Sequence, residues 1–253
     1  MNLSCAWYEA ESRAPLIVLL HGWGFHAGVW ASFIPYLRPY FSVMTVNWPG
    51  YGESESRVTD QLNDADIYAA IVASIKEKQY DSVIWLGWSL GGLHAMALAA
   101  HYPQETAALC LMAASPRFLQ ENTEKPAWTS AMPADIFQTF AQGLLQVPAN
   151  TIERFIRIQC TGSPTVKQEI RYLQSVLAEK KLPALSLLKT DLERLEKTDY
   201  RTLLAQLNKP ISCVLGVHDR LIPAALQQAL QVLKADIHTE ILANSAHQPF
   251  LSE

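Results

Sequence analysis

The stretch Ser82-Val83-Ile84-Trp85-Leu86-Gly87-Trp88-Ser89-Leu90-Gly91-Gly92-Leu93 runs from an apolar segment, through a corner with glycine on either side of a serine, into a helix-like segment that reaches His101. A strand turning this sharply into a helix holds the corner residue in a strained backbone conformation and projects its hydroxyl off the end of the sheet. Side chains at Gly87 and Gly91 would collide across such a turn, and the helix that starts after Ser89 aims its free N–H groups at a reacting oxygen. Glycine-rich loops also produce G-x-S-x-G by chance, so the weight falls on its surroundings.

A serine hydroxyl is a poor nucleophile at neutral pH unless a histidine takes its proton and a carboxylate orients that histidine, in the chain order Ser, Asp or Glu, His. The apolar run Ile211 to Gly216 reads as a buried strand, and Val217-His218-Asp219-Arg220 follows it, with Pro223 opening the next helix. After a helix over 224–233 and a strand over 239–242 comes Asn244-Ser245-Ala246-His247-Gln248-Pro249-Phe250. Ser89, Asp219 and His247 are therefore the candidate nucleophile, orienting acid and base, and in a parallel sheet their loops open on one edge. Pro15 to Leu20 reads as an earlier strand and leads into His21-Gly22-Trp23-Gly24, which makes the backbone N–H groups of Trp23 and Leu90 the candidate oxyanion hole. His21 is a rival base by residue type, but a histidine at a strand end serves more often to fix its loop. The chemistry these residues predict is two-step acyl transfer, which calls for no metal or organic cofactor.

These motifs, with Trp48-Pro49-Gly50-Tyr51-Gly52-Glu53-Ser54 between them, follow the order of an α/β-hydrolase over almost the whole chain, and the sequence resembles that superfamily. Within it the chain is most similar to the esterases that cleave the methyl ester of pimeloyl-acyl-carrier protein in biotin synthesis. That similarity is carried by His21-Gly22-Trp23-Gly24, Trp85 to Leu93, Ala114-Ser115-Pro116 and Thr151-Ile152-Glu153-Arg154-Phe155. The resemblance implies a mostly parallel central sheet flanked by helices with an inserted helical cap, and an acyl carrier protein as transient partner. It also implies that basic cap residues meet the acidic carrier. Arg154, Lys167 and Arg171 stand at matching positions, and Asn150 stands where a further basic residue is expected.

The 253 residues suffice for one large core, and 49% apolar with 17% charged residues is ordinary for a globular chain of net charge −4. Glu9, Glu11 and Arg13 precede a first apolar run, Leu16 to Leu20, that is too short for a signal peptide or a membrane span. Cys5, Cys110, Cys160 and Cys213 lack C-x-x-C spacing and read as reduced thiols, three of them within strand-like runs. A monomeric cytoplasmic enzyme is expected, with neither nucleic acid nor membrane as partner.

Strand-like runs near 3–8, 15–20, 42–47, 82–88, 107–113, 211–217 and 238–242 alternate with helical patterns at about 29–38, 64–78, 90–101 and 223–233. Between Pro116 and Pro210 the pattern changes to helices over 135–146, 151–159, 165–179 and 182–197, with Pro133, Pro148, Pro164 and Pro183 at their starts or turns. This divides the chain into a core of 1–116 and 208–253 and a cap of 117–207, read as inserted after the sixth strand. Residues 150–181 carry six basic and three acidic side chains, which marks either a docking surface for an acidic partner or a solvated helix face. Trp23, Trp88, Phe140, Phe155 and Phe250 are candidates to line an acyl channel, with core packing as the alternative.

Other readings of the same residues are a broad carboxylesterase, a thioesterase, a carbon–carbon bond hydrolase, a lyase or synthase on this scaffold, and a ligand receptor that keeps the triad. With only six residues after His247, the sequence reads either as truncated at its C-terminus or as leaving the sheet face there less covered, with lowered stability or a self-association surface expected.

Overall fold

The computed structural model describes residues 3–10, 14–54, 63–123 and 127–253. Apolar runs rich in β-branched and aromatic residues form β1 (Cys5–Tyr8), β2 (Leu16–Leu20), β3 (Ser42–Val46), β4 (Val83–Trp88), β5 (Thr106–Met112), β6 (Ile211–Gly216) and β7 (His238–Leu242). They make one seven-stranded sheet in the order β1-β3-β2-β4-β5-β6-β7, in which β1 runs antiparallel to β3 and every other pair is parallel. All of β2 and β3 is buried, as expected of parallel strands covered on both faces. Strand alternation divides the core: Leu16, Val18 and Leu20 join one hydrophobic cluster, whereas Ile17 and Leu19 join the other.

The helices are α1 (Ile34–Leu37), α2 (Asp64–Glu77), α3 (Leu90–His101), α4 (Ala134–Gln146), α5 (Pro148–Cys160), α6 (Val166–Glu179), α7 (Leu185–Lys197), α8 (Arg201–Gln206), α9 (Leu226–Leu233) and α10 (Pro249–Ser252). Two expectations need correction. The helix anticipated over 29–38 is a 3-10 turn, Ala27–Trp30, followed by the single turn of α1. Pro35 has no N–H to give and its ring tolerates only the first turn of a helix, so no continuous helix passes through it. The helical insertion follows β5, the fifth strand, and not the sixth, because no strand beyond β1 to β5 precedes it among the described residues. It also contains α8, whose six residues are too few to show a helical period.

Within the insertion α5 packs on α4 and α6, and α4 on α7. Buried polar contacts fasten it to the loops at the sheet's edge. Trp23 donates its indole N–H to the Leu188 carbonyl at 2.9 Å, His26 Nε2 meets the Val176 carbonyl at 2.8 Å, and the Tyr51 hydroxyl bonds Asp191. Arg194 of α7 forms a two-pronged ion pair with Asp64 at the start of α2. Buried groups left without partners cost free energy, so these contacts hold the helices over the strand ends.

Candidate active site

β4 ends at Trp88, and Ser89 adopts φ 54° and ψ −118° before α3 begins at Leu90. A non-glycine residue there is strained, and the glycines around it explain why the corner closes. A Cβ on Gly87 would stand 2.3 Å from the Gly91 carbonyl oxygen, and one on Gly91 would stand 2.2 Å from the Leu20 carbonyl oxygen. The corner is thus locked between β4, α3 and the end of β2. Ser89 donates its N–H to the Met112 carbonyl at 3.0 Å, while its side chain makes no capping bond to the helix. As the first residue of α3, Leu90 has no intrahelical acceptor for its N–H.

The loop after β6 places Asp219, and the loop after β7 places His247. Asp219 Oδ1 accepts N–H bonds from Leu221 at 2.8 Å and Ile222 at 2.9 Å, and Oδ2 lies 2.8 Å from His247 Nδ1. Both side chains are fully buried. The histidine backbone is gripped from two sides: its N–H donates to the Gln159 carbonyl of α5 at 3.0 Å, and its carbonyl accepts the Trp88 indole N–H at 2.7 Å. His247 Nε2 has no hydrogen-bond partner among the described residues. A ring oriented through Nδ1 with Nε2 unoccupied is the arrangement of a general base.

A cavity of about 360 Å³ has Ser89 in its wall. Its walls are Trp23 from the loop after β2, Phe137 and Phe140 from α4, Phe155 from α5, and Leu192 and Leu195 from α7, with Ile136 and Ile158 exposed at the rim. Trp23 meets Phe140 and Phe155 edge-on at centroid separations of 5.4 and 5.2 Å. Helical spacing accounts for these walls, since 136, 137 and 140 share a face of α4, as do 155 and 158 on α5. The cavity walls therefore include Trp23 and Phe155 but not Trp88 or Phe250. Those two rings pack on each other at 5.1 Å and on Trp30 in the other hydrophobic cluster, behind the elbow. Trp88 follows Gly87 on a strand whose alternation turns it to the opposite sheet face, and its indole is committed to the His247 carbonyl.

His21 is fully buried, accepts the Trp48 N–H through Nε2 at 3.3 Å and lies 3.0 Å from the Gly22 carbonyl through Nδ1. It ties its own loop to the Trp48 loop. Sequence reasoning missed a buried network beside the site. Glu169 of α6 accepts from Gln248 at 2.8 Å and Thr165 at 2.6 Å and also bonds Ser163, joining the turn between α5 and α6 to the residue after His247. A glutamate between Lys167 and Arg171 reads as a solvated charge, and nothing in helical periodicity reveals its burial. Among the described residues no cluster of three or more His, Cys, Asp or Glu is arranged to hold a metal ion, and no helix is long and apolar enough to cross a membrane.

Burial pushes His21 down to about 3, partly opposed by its bond to the Gly22 carbonyl, and holds His94 well below the usual imidazole value. The unfolded chain binds protons at both rings below about pH 6.5, whereas the folded chain excludes them until far lower pH, so the stability they confer is lost as pH falls. Asp191, raised by burial to about 6, acts in the opposite direction between about pH 4 and 6. With two rings against one carboxylate, unfolding free energy is expected to fall on acidification below pH 6.5, by about 1.4 kcal/mol per pH unit for each net proton. Urea midpoints at pH 7.5 and pH 5 check this, and equal midpoints would contradict it.

Residues 15–253 match the family model described as the alpha/beta hydrolase fold. A relative from Xylella fastidiosa (strain M23), named pimeloyl-[acyl-carrier protein] methyl ester esterase, is 36% identical over 97% of this chain and 93% of its own. A relative of the same name from Methylococcus capsulatus is 33% identical over 96% of this chain and 92% of its own. Among solved structures, an esterase from Exiguobacterium antarcticum superposes with a TM-score of 0.83 at 18% identity, covering 98% of this chain and 90% of that one.

Proposed function

This chain belongs to the α/β-hydrolase family and within it to the pimeloyl-[acyl-carrier protein] methyl ester esterases, and from that premise we propose that it hydrolyses the methyl ester of a pimeloyl chain held on acyl carrier protein. The observation that carries this reading is an apolar cavity of about 360 Å³ lined by Ser89 together with side chains of α4, α5 and α7. Residues 117–207 serve as the cap that chooses the substrate, and the loops at the sheet edge serve as the reaction centre.

In this mechanism Ser89 Oγ attacks the ester carbonyl carbon as His247 Nε2 takes its proton. Asp219 holds the Nδ1–H tautomer and stabilises the imidazolium. The N–H groups of Trp23 and Leu90 receive the oxyanion. The carbon–oxygen bond to the methoxy group breaks, methanol leaves with the proton from His247, and the acyl group remains on Ser89. Water, deprotonated by His247, then attacks the acyl-enzyme and releases the carboxylic acid, which restores the serine. The thioester to the carrier stays intact in this reaction, because the methyl ester is the carbonyl set against Ser89.

Docking of the carrier is assigned to Arg154, Lys167 and Arg171. Arg157 is paired with Glu153 and Lys180 with Glu53, whereas none of these three forms a salt bridge among the described residues. Arg154 lies one turn before Ile158 on the face of α5 that reaches the cavity rim. Lys167 and Arg171 lie one turn apart on exposed positions of the neighbouring helix α6, and exposed cations outside salt bridges accelerate encounter with an acidic partner. The enzyme is further proposed to act as a cytoplasmic monomer that meets the carrier transiently. Its four cysteines are free, which fits a reducing compartment.

Charge reversal at Arg154, Lys167 and Arg171 together is expected to lower kcat/KM on the carrier-bound ester and to spare a short free ester. Equal losses on both substrates would remove the docking role. Mass spectrometry of the carrier tests the reaction itself: the product predicted is pimeloyl-carrier with the methyl group gone, and release of free carrier thiol would identify a thioesterase instead.

A further inference from the structure

Among the described residues that wall the cavity, Trp23 commits its indole N–H to the Leu188 carbonyl, which leaves Ser89 and Arg220 as the other polar side chains. Arg220 follows Asp219 directly and is exposed, which places it at the open side of a chamber whose other walls include the buried Trp23, Phe137 and Leu195. Arg117, Arg194 and Arg201 each pair with a carboxylate. Arg220 forms no salt bridge or side-chain hydrogen bond with any described residue, so its guanidinium donors are uncommitted.

An apolar wall accepts any acyl chain of suitable length and discriminates poorly at the chain's far end, because added or missing methylenes change binding only modestly. A cation at its mouth changes that. The guanidinium is planar, always charged, weakly hydrated and shaped to bind two oxygens of one carboxylate or phosphate. Beside a low-dielectric chamber its field is also less screened than on an open surface.

We propose that Arg220 is a specificity-determining residue that binds an anionic oxygen group, carboxylate or phosphate, on the end of the acyl substrate remote from the scissile ester. This rests on the reading that esters are cleaved at Ser89 within this cavity. Carboxylate recognition would admit free half-esters of dicarboxylic acids, whereas phosphate recognition would read the phosphorylated arm of a carrier.

The test compares kcat/KM within two pairs of esters. The first pair is monomethyl pimelate and methyl heptanoate; the second is the pimeloyl methyl ester thioester of 4′-phosphopantetheine and that of pantetheine. Wild type, Arg220→Gln and Arg220→Lys are measured on all four. Ratios within one enzyme cancel any general damage from altering the neighbour of Asp219. Wild type is expected to favour the anion in at least one pair by about tenfold or more, the strength of a charge-assisted bond. Arg220→Gln should bring that ratio near one, Arg220→Lys should restore part of it, and added salt should reduce it in wild type. A response confined to the first pair identifies the carboxylate, and one confined to the second identifies the phosphate. Ratios that Arg220→Gln leaves unchanged in both pairs overturn the proposal. Failure of wild type to hydrolyse any of the four esters would overturn the ester-hydrolase reading beneath it, and the proposal with it.

Discussion

Ser89→Ala is expected to reduce turnover of every ester substrate by a factor on the order of 10⁶ while leaving the folded protein intact. The reaction has no other route through this site, since Oγ supplies the bond that replaces the methoxy group. The fold should survive because the backbone of Ser89, and not its side chain, is built into the corner. Its N–H bonds the Met112 carbonyl and its carbonyl accepts from Gly92, whereas the hydroxyl caps nothing. Alanine also pays no more than serine for the positive φ of this position, so the melting temperature should change little. Circular dichroism and a melting curve establish folding, and a single-turnover assay measures the loss. Substantial residual activity in a folded Ser89→Ala protein would place the nucleophile elsewhere.

Asp219→Asn is expected to lower kcat by about 10⁴-fold, through the tautomer of His247 and not through unfolding. The two oxygens of Asp219 have different duties. Oδ1 accepts N–H bonds from both Leu221 and Ile222, and only an oxygen can do so. Asparagine must therefore keep its carbonyl oxygen at the Oδ1 position, and its NH₂ is forced to the place of Oδ2, opposite His247 Nδ1. A donor there turns Nδ1 into an acceptor and moves the ring proton to Nε2, the nitrogen that has to receive the serine proton. The loop remains pinned and the base is disabled. The expected signature is a large drop in kcat with little change in KM or melting temperature, and a variant with near-normal kcat would show that the carboxylate does not set the tautomer.

The α/β alternation was legible because each strand is a short, mostly apolar run bounded by turn residues: β2 is wholly apolar and buried, and β3 admits only the small hydroxyl residues Ser42 and Thr45 among its buried positions. The elbow was legible for a steric reason: backbone approaches of 2.2 and 2.3 Å to an added Cβ admit only glycine at Gly91 and Gly87. Local sequence does not reveal which side of the sheet a ring faces once its strand meets two cores. Trp88 sits beside Ser89 in sequence, yet it points into the cluster of Trp30 and Phe250. Phe118, Leu192 and Leu195 reach the cavity only through the packing of separate elements, which periodicity cannot order in space. Glu169 was illegible for the converse reason, since its partner Gln248 lies 79 positions away and the charges around it are those of an ordinary exposed helix.

The central claim is that this site cleaves a methyl ester presented by a carrier protein. It is tested most directly by measuring methanol release from pimeloyl methyl ester on acyl carrier protein against release from the same ester free in solution, at equal concentration and low salt, with Ser89→Ala as the blank. A much higher kcat/KM for the carried ester, falling as salt is added, is the predicted result. Equal rates on carried and free esters, with efficient cleavage of short simple esters, would contradict it and leave a general carboxylesterase whose cap cations are solvated surface.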